Sequence, residues 1–278
     1  MPRERSVLCV SRHGSNTDRD FRLALRAVAG RVLSAGFGAQ ERAAPCGLDL
    51  LHHRDQRLVL FAATAGELRA LACGNACRLR EKLGPILWQF PPNLRYDEQR
   101  VGDFLRLLPK DTRSALRIAR KHDERLKGRA RLAIDRERPL RHAFEIRHES
   151  FCTPSFMKLL RENRVALVVG ETARRWPMLE DVTADFMYLR LHGDKELYRS
   201  GYDDKALERW AARIRAWHRG SEPPEANTCS SAKPPTSRPR DMYVYFDNTE
   251  VKLRAPFDAQ RLISKIGAPP IRRINKLQ

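Results

Sequence analysis

Between Leu83 and Ile266, apolar runs of strand length alternate with stretches whose apolar residues recur at helical spacing. No other feature narrows the possible folds as far. Pro85–Phe90 reads as a buried strand stopped by Pro91-Pro92, since proline has no N–H to give to a ladder. Asp97–Leu108 places Val101, Phe104, Leu105 and Leu108 on one helical face. His142–Arg147 is a second strand, Pro154–Arg164 a helix with proline in its first turn, Val165–Gly170 a third strand and Phe186–Leu191 a fourth. Asp203–Trp217 carries Leu207, Trp210, Ile214 and Trp217 on one stripe; Met242–Phe246 is a fifth strand and Phe257–Ile266 a closing helix. Strands alternating with helices imply an α/β fold with a parallel sheet under helices. The βα units recur without a Gly-rich dinucleotide fingerprint, which favours a TIM-barrel-like fold over a Rossmann sheet.

The N-terminal part is different. Residues 1–80 hold 13 Arg and no Lys, Trp or Tyr, and their periodicity is weak. Ser6–Ser11 and Leu58–Ala62 are expected as short strands and Phe21–Leu33 as a helix. Near the other end, residues 219–241 are rich in Pro, Ser, Thr and Glu and read as a flexible surface loop. No stretch approaches the ~18 consecutive apolar residues of a membrane span, and Met1–Arg5 leads into no long apolar run. A cytoplasmic protein with no membrane partner is expected. The 6 cysteines show no Cys-x-x-Cys pair, so free thiols are expected and no zinc site.

With 53 Lys and Arg against 34 Asp and Glu, the formal net charge is +19. Such a charge suits an anionic partner. However, 42 of the basic residues are Arg and 11 are Lys, and no block of like charges marks a nucleic-acid tail. Composition bias and an anionic small-molecule ligand account for the charge better than nucleic acid, which stays as the alternative partner.

Nucleotide-binding loops, His-Glu-x-x-His and Gly-x-Ser-x-Gly are absent, and no cofactor is indicated. Arg12-His13-Gly14 matches only three residues of a histidine-phosphatase motif. The stronger signal is polar residues at strand ends. Side chains alternate along a strand, so Glu145 and Arg147 face away from Phe144 and Ile146. Likewise Tyr188, Arg190 and His192 face away from Met187, Leu189 and Leu191. Gln89 points inward if Trp88 and Phe90 pack under helices, and Glu171 with either Asp247 or Asn248 closes the ring. In a barrel enzyme the C-terminal strand ends carry the site. Glu145 or Glu171 would act as general base and His192 as acid or orienting donor, with Asp247 completing the catalytic set. Arg147 and Arg190 would bind an anion, joined by Gln89 and Asn248, while Tyr198 and Tyr202 line the mouth. The competing reading is that Glu145–Arg147 and Arg190–Glu171 are structural ion pairs. With His148 facing the other way from His192, no metal site is expected.

Leu83–Asn93, Phe144–His148, Thr183–Phe186, Arg190–Gly193 with Tyr198–Tyr202, and Val244–Asn248 together resemble the YecE-like family, also called domain of unknown function 72. The resemblance runs over residues 79–267. It implies a TIM-barrel-like fold and gives no activity. The family opens with strands carrying Gly-Thr-Ser-Gly-Trp and Glu-Ile-Asn, and residues 1–78 contain neither. The expectation is therefore an atypical segment over residues 1–78, translated out of frame or rearranged, ahead of a barrel region over residues 79–278. Three functions follow: an enzyme acting on an anionic small molecule, a nucleic-acid-binding or endonuclease-like barrel, or an N-terminally damaged product without function.

Overall fold

The computed structural model describes residues 4–10, 23–29, 83–120, 133–235, 239–248 and 254–267. In chain order the elements are β1 (Glu4–Val10), β2 (Leu23–Ala29), β3 (Ile86–Gln89), α1 (Glu98–Leu107), α2 (Thr112–Ala119) and β4 (His142–Glu145). A 3₁₀ turn (Glu149–Phe151), α3 (Pro154–Asn163), β5 (Ala166–Glu171) and β6 (Phe186–Leu191) follow, then α4 (Asp204–His218), β7 (Asp241–Phe246) and α5 (Ala255–Ile266). The chain divides into two compact units: a first unit of residues 1–31 and 167–278, and a second of residues 32–166. Parallel strands with intervening helices make this an α/β protein, as the alternation predicts.

In the second unit β3 and β4 pair in parallel, with Trp88 opposite Phe144 and Gln89 opposite Glu145. Phe144 is fully buried; it stacks on Phe90 at 4.0 Å and meets the edge of Phe156 of α3 at 5.3 Å. Trp88 and Phe90 both pack edge-on against Phe104 of α1. These offset and edge-to-face contacts add to the area term of burying each ring. The helices start where short polar side chains cover the free N–H groups: Asp97 accepts from Arg100 N and Thr153 from Phe156 N. The eight-residue α2, not among the expected elements, opens on a capping box between Asp111 and Ser114. Lys110 ties two helix ends together, donating to the carbonyls of Leu105 in α1 and Asn163 in α3.

In the first unit the strand order is β2-β1-β7-β6-β5. β5, β6 and β7 run parallel, with Arg190 opposite Gly170 on one side and Tyr245 on the other. Val169, Met187, Leu189, Leu191, Met242, Val244 and Phe246 pack with Leu207, Trp210, Ile214 and Trp217 of α4 and Leu262, Ile263 and Ile266 of α5. Each such side chain contributes roughly 1.5–3 kcal/mol on burial. This is the face the alternation assigns to the helices.

The N-terminal strands correct one expectation. Residues 23–29 form β2, not part of a helix over Phe21–Leu33, and pair antiparallel with β1 from Glu4↔Ala29 to Val10↔Leu23. The weak helical periodicity there loses to a continuous ladder that pairs the backbone groups of both segments. β1 in turn runs antiparallel to β7, so the parallel order of the first unit stops at β7. Leu58–Ala62 and Arg12–Gly14 lie outside the described residues.

The loop between α4 and β7 is tied to the first unit by two buried acids. Glu180 accepts from Asn227 N, and Asp181 accepts from Cys229 N and Ser230 N. Arg240, almost fully buried, donates to the carbonyls of Trp217 and Ser221.

Candidate functional site

At the C-terminal ends of β6 and β7 the alternation brings polar groups together on the face turned from the helices. Tyr188 stacks on Tyr245 at 4.7 Å, and beyond this pair Arg190 forms an ion pair with Asp247. Their side chains are 7% and 9% exposed, so the pair sits where charge interactions are strong and an unpaired charge is costly. His192 is fully buried, with Nε2 3.5 Å from Asp247 Oδ2. Its Nδ1 lies 3.0 Å from the carbonyl oxygen of Glu171. A carbonyl only accepts, so Nδ1 carries the hydrogen and donates, and Nε2 is the nitrogen turned to the carboxylate. The Tyr198 ring meets His192 edge-on at 5.3 Å, from a backbone with φ 62°. Its N–H donates to the His192 carbonyl, which holds this left-handed residue in place.

Two of the expected members stand elsewhere. The Glu171 carboxylate accepts from the indole N–H of Trp210 in α4 at 3.1 Å. Glu171 shares its face with Val169, which packs in the helix-covered core, so β5 parity sends this carboxylate under α4. Only its carbonyl reaches His192. Burial, and after it the charge of Asp194, pushes the Glu171 carboxyl above the usual carboxylate range, and the Trp210 N–H offsets part of that rise. Of Asp247 and Asn248, Asp247 takes the place beside Arg190. Asn248 shares parity with Phe246 and turns to α5, donating from Nδ2 to Asp258 Oδ2 at 2.9 Å and to the Ser200 carbonyl at 3.2 Å.

In the second unit, Glu145 and Arg147 at the end of β4 form their own ion pair at 3.3 Å, with side chains 3% and 10% exposed. Gln89 is half-buried and opposite Glu145 in register. At the start of β4, His142 accepts at Nδ1 from Trp88 Nε1 at 3.0 Å, and its Nε2, 2.7 Å from the Pro109 carbonyl, donates to it. With both nitrogens assigned and the ring buried, desolvation brings the His142 pKa down to about 4.

Sequence reasoning does not single out Trp210 as the partner of Glu171. It also misses Asp258, which accepts from Tyr202 N and Asn248 Nδ2; Tyr202, expected to line the mouth, is buried, and its hydroxyl accepts from Gly193 N. Tyr202 and Asn248 lie in the strand-end motifs; Asp258 and Trp210 carry only helical periodicity, which marks burial and not polarity. Among the described residues no group of three or more His, Cys, Asp and Glu side chains is arranged to hold a metal ion. No described helix is long and apolar enough to cross a membrane.

The chain is similar to three solved structures. One is a DUF72 family protein from Thermotoga maritima MSB8, with 17% identity, a TM-score of 0.44, and coverage of 67% of this chain and 59% of the other. Two are structures of a DUF72 family protein from Enterococcus faecalis V583. At 13% identity and a TM-score of 0.44, the first match covers 71% of this chain and 63% of the other. At 16% and 0.41, the second covers 68% and 63%. The chain thus spans about three fifths of the length of the structures it matches. No curated protein matches it. The profile of the family described as protein of unknown function DUF72 matches residues 50–276, a range that contains the strand-end motifs of both units and takes in residues 50–78 as well. That match covers most of the 278 residues, and the chain belongs to the DUF72 family.

Proposed function

We propose that this protein is a TIM-barrel-like enzyme acting on an anionic small molecule at the C-terminal ends of β6 and β7. The observation that carries the reading is the buried group of Arg190, Asp247 and His192, with Tyr198 against the imidazole. Barrel enzymes place their chemistry at this end of the strands. His192, with Nδ1–H fixed on the Glu171 carbonyl, turns Nε2 to Asp247, so a proton taken up at Nε2 is shared with that carboxylate. Asp247 stabilises the imidazolium so formed and orients Arg190, whose fork suits a carboxylate or phosphate. In the second unit Glu145 is the candidate base, held by Arg147, with Gln89 and Arg147 as binding groups.

The test is a panel of sugar phosphates and small carboxylic acids, scored for thermal stabilisation of the full chain and for consumption by NMR. The expected result is one class of anion that stabilises the wild type and is turned over, with turnover lost in His192→Gln while the stabilisation survives. No stabilising anion, or turnover unchanged in His192→Gln, overturns the reading.

We also propose that the segment ahead of the family match departs from a barrel's opening strands. The antiparallel placement of β1 on β7 supports this, since barrel strands are all parallel. Reading the other two frames of the gene upstream of the residue 50 codon tests it. A Gly-Thr-Ser-Gly-Trp-like strand in either frame is the expected result, and its absence from both makes the N-terminal segment a genuine variant.

A further inference from the structure

The loop after β6 and the start of α5 border an open cavity of about 550 Å³ in the first unit, a size typical of small-molecule sites. Its wall mixes cations with carboxylates, and most of them are engaged. Arg261 donates to Asp258, Asp204 and the Tyr202 carbonyl. Arg199 lies 4.0 Å from Glu196, and Asp194 lies 3.9 Å from Arg209. Two cations form no hydrogen bond or ion pair among the described residues, the Arg254 guanidinium and the Lys195 ammonium, and Lys195 acts on Asp203 through its charge alone.

Arg254 is seated, although the residue as a whole is exposed. Its side chain runs across the bare Cα of Gly201, where an added Cβ would stand 2.8 Å from Arg254 Cδ and 3.0 Å from Nη1. The floor beneath is fixed by the Asn248 amide, which donates to the Ser200 carbonyl and to Asp258, and by Asp258, which accepts from Tyr202 N. Arg254 is also the residue at which α5 begins, and no side chain caps that helix. Asp194 and Asp203 supply the opposite chemistry on the same wall. Asp203 gives one oxygen to Ala206 N as the cap of α4. A carboxylate repels a bare polyanion but accepts well from a hydroxyl.

We propose that this cavity is a binding site for a small phosphorylated polyol. Its phosphate sits on Arg254 and Lys195, and its hydroxyls donate to Asp194 and Asp203. The site uses none of Arg190, His192 or Asp247, so it stands or falls separately from the proton chemistry at the ends of β6 and β7.

Titration calorimetry of the full chain with ribose 5-phosphate, ribose and inorganic phosphate tests it. Ribose 5-phosphate is expected to saturate, inorganic phosphate to bind more weakly, and ribose to give no saturable heat. Arg254→Gln is expected to weaken ribose 5-phosphate roughly tenfold or more, as for the loss of a charge-assisted hydrogen bond. Gly201→Ala removes no charge: its methyl group displaces the Arg254 side chain, so it should weaken binding in the same direction. Arg254→Gln is expected to unfold with the wild-type midpoint, because Arg254 is exposed; Gly201→Ala also sets its methyl group 3.2 Å from Asp258 Oδ2, so its midpoint is measured beside its affinity. No saturation by ribose 5-phosphate overturns the proposal, as does wild-type affinity in Arg254→Gln and Lys195→Gln. Inorganic phosphate binding as tightly as ribose 5-phosphate overturns the polyol assignment.

Discussion

His142 is a neutral imidazole by construction: one nitrogen must accept from Trp88 and the other must donate to Pro109, so a proton added to the ring has no place to go. Burial is the main cause of the fall in its pKa to about 4 from the ordinary 6.5, and Lys110 adds to it. The unfolded chain binds this proton at a higher pH than the folded one, so the folded state loses stability as pH falls. The contribution is complete above about pH 6.5 and drains away down to about pH 4, where the loss from this residue reaches about 3 kcal/mol. Urea unfolding at several pH values between 7 and 4 checks this. The expected result is a fall in midpoint that flattens in His142→Phe, whose stability is lower throughout because the Trp88 N–H and Pro109 carbonyl lose their partner. An equally steep fall in the variant would assign the acid sensitivity to the carboxylates.

Strand parity explains most of the site's make-up. Along β6 and β7 every second residue goes under α4 and α5, and the intervening ones carry Tyr188, Arg190, Tyr245 and Asp247. The same rule carries the Glu171 carboxylate away to Trp210. The Arg190–Asp247 pair also joins β6 to β7, which gives it a structural reading to set against the functional one. Removing one partner leaves a buried charge, so Arg190→Met is expected to cost about 3–5 kcal/mol in urea unfolding. The double variant Arg190→Met with Asp247→Leu should recover much of that, because two apolar groups leave no unpaired charge. A double variant no more stable than Arg190→Met alone would mean that His192 and the other neighbours of the pair also depend on its charges.

Over the whole molecule the dominant quantity is the net charge of +19. The ion pairs that the surface forms, such as Arg113–Glu137 and Lys158–Glu162, are exposed and worth little each. Self-repulsion should therefore outweigh them, and the thermal midpoint is expected to rise as salt is raised from about 50 to about 300 mM, within the range where the Debye length shortens strongly. A midpoint that falls with salt would mean that surface pairing dominates. Titration with duplex DNA over the same range addresses the nucleic-acid alternative, which requires affinity that drops steeply with salt.

Local pattern alone determined a good deal of this protein. Apart from α2, which is not among the expected elements, the strands and helices from Ile86 to Ile266 follow hydrophobic period, caps and prolines, and their order implies α/β. The opposition of Arg190 and His192 to Leu189 and Leu191 follows from a period of 2. Tertiary structure decided what local pattern does not encode. β2 became a strand because β1 was there to pair with it. Asp247 and not Asn248 met Arg190 because the register of β7 on β6 fixes which residue lies beside it. Glu171 met Trp210, His142 met Trp88, and Arg254 settled on Gly201 across gaps of 39 to 54 residues. Such contacts depend on where two distant elements are placed, and hydropathy and periodicity record only which side of its own element each residue occupies.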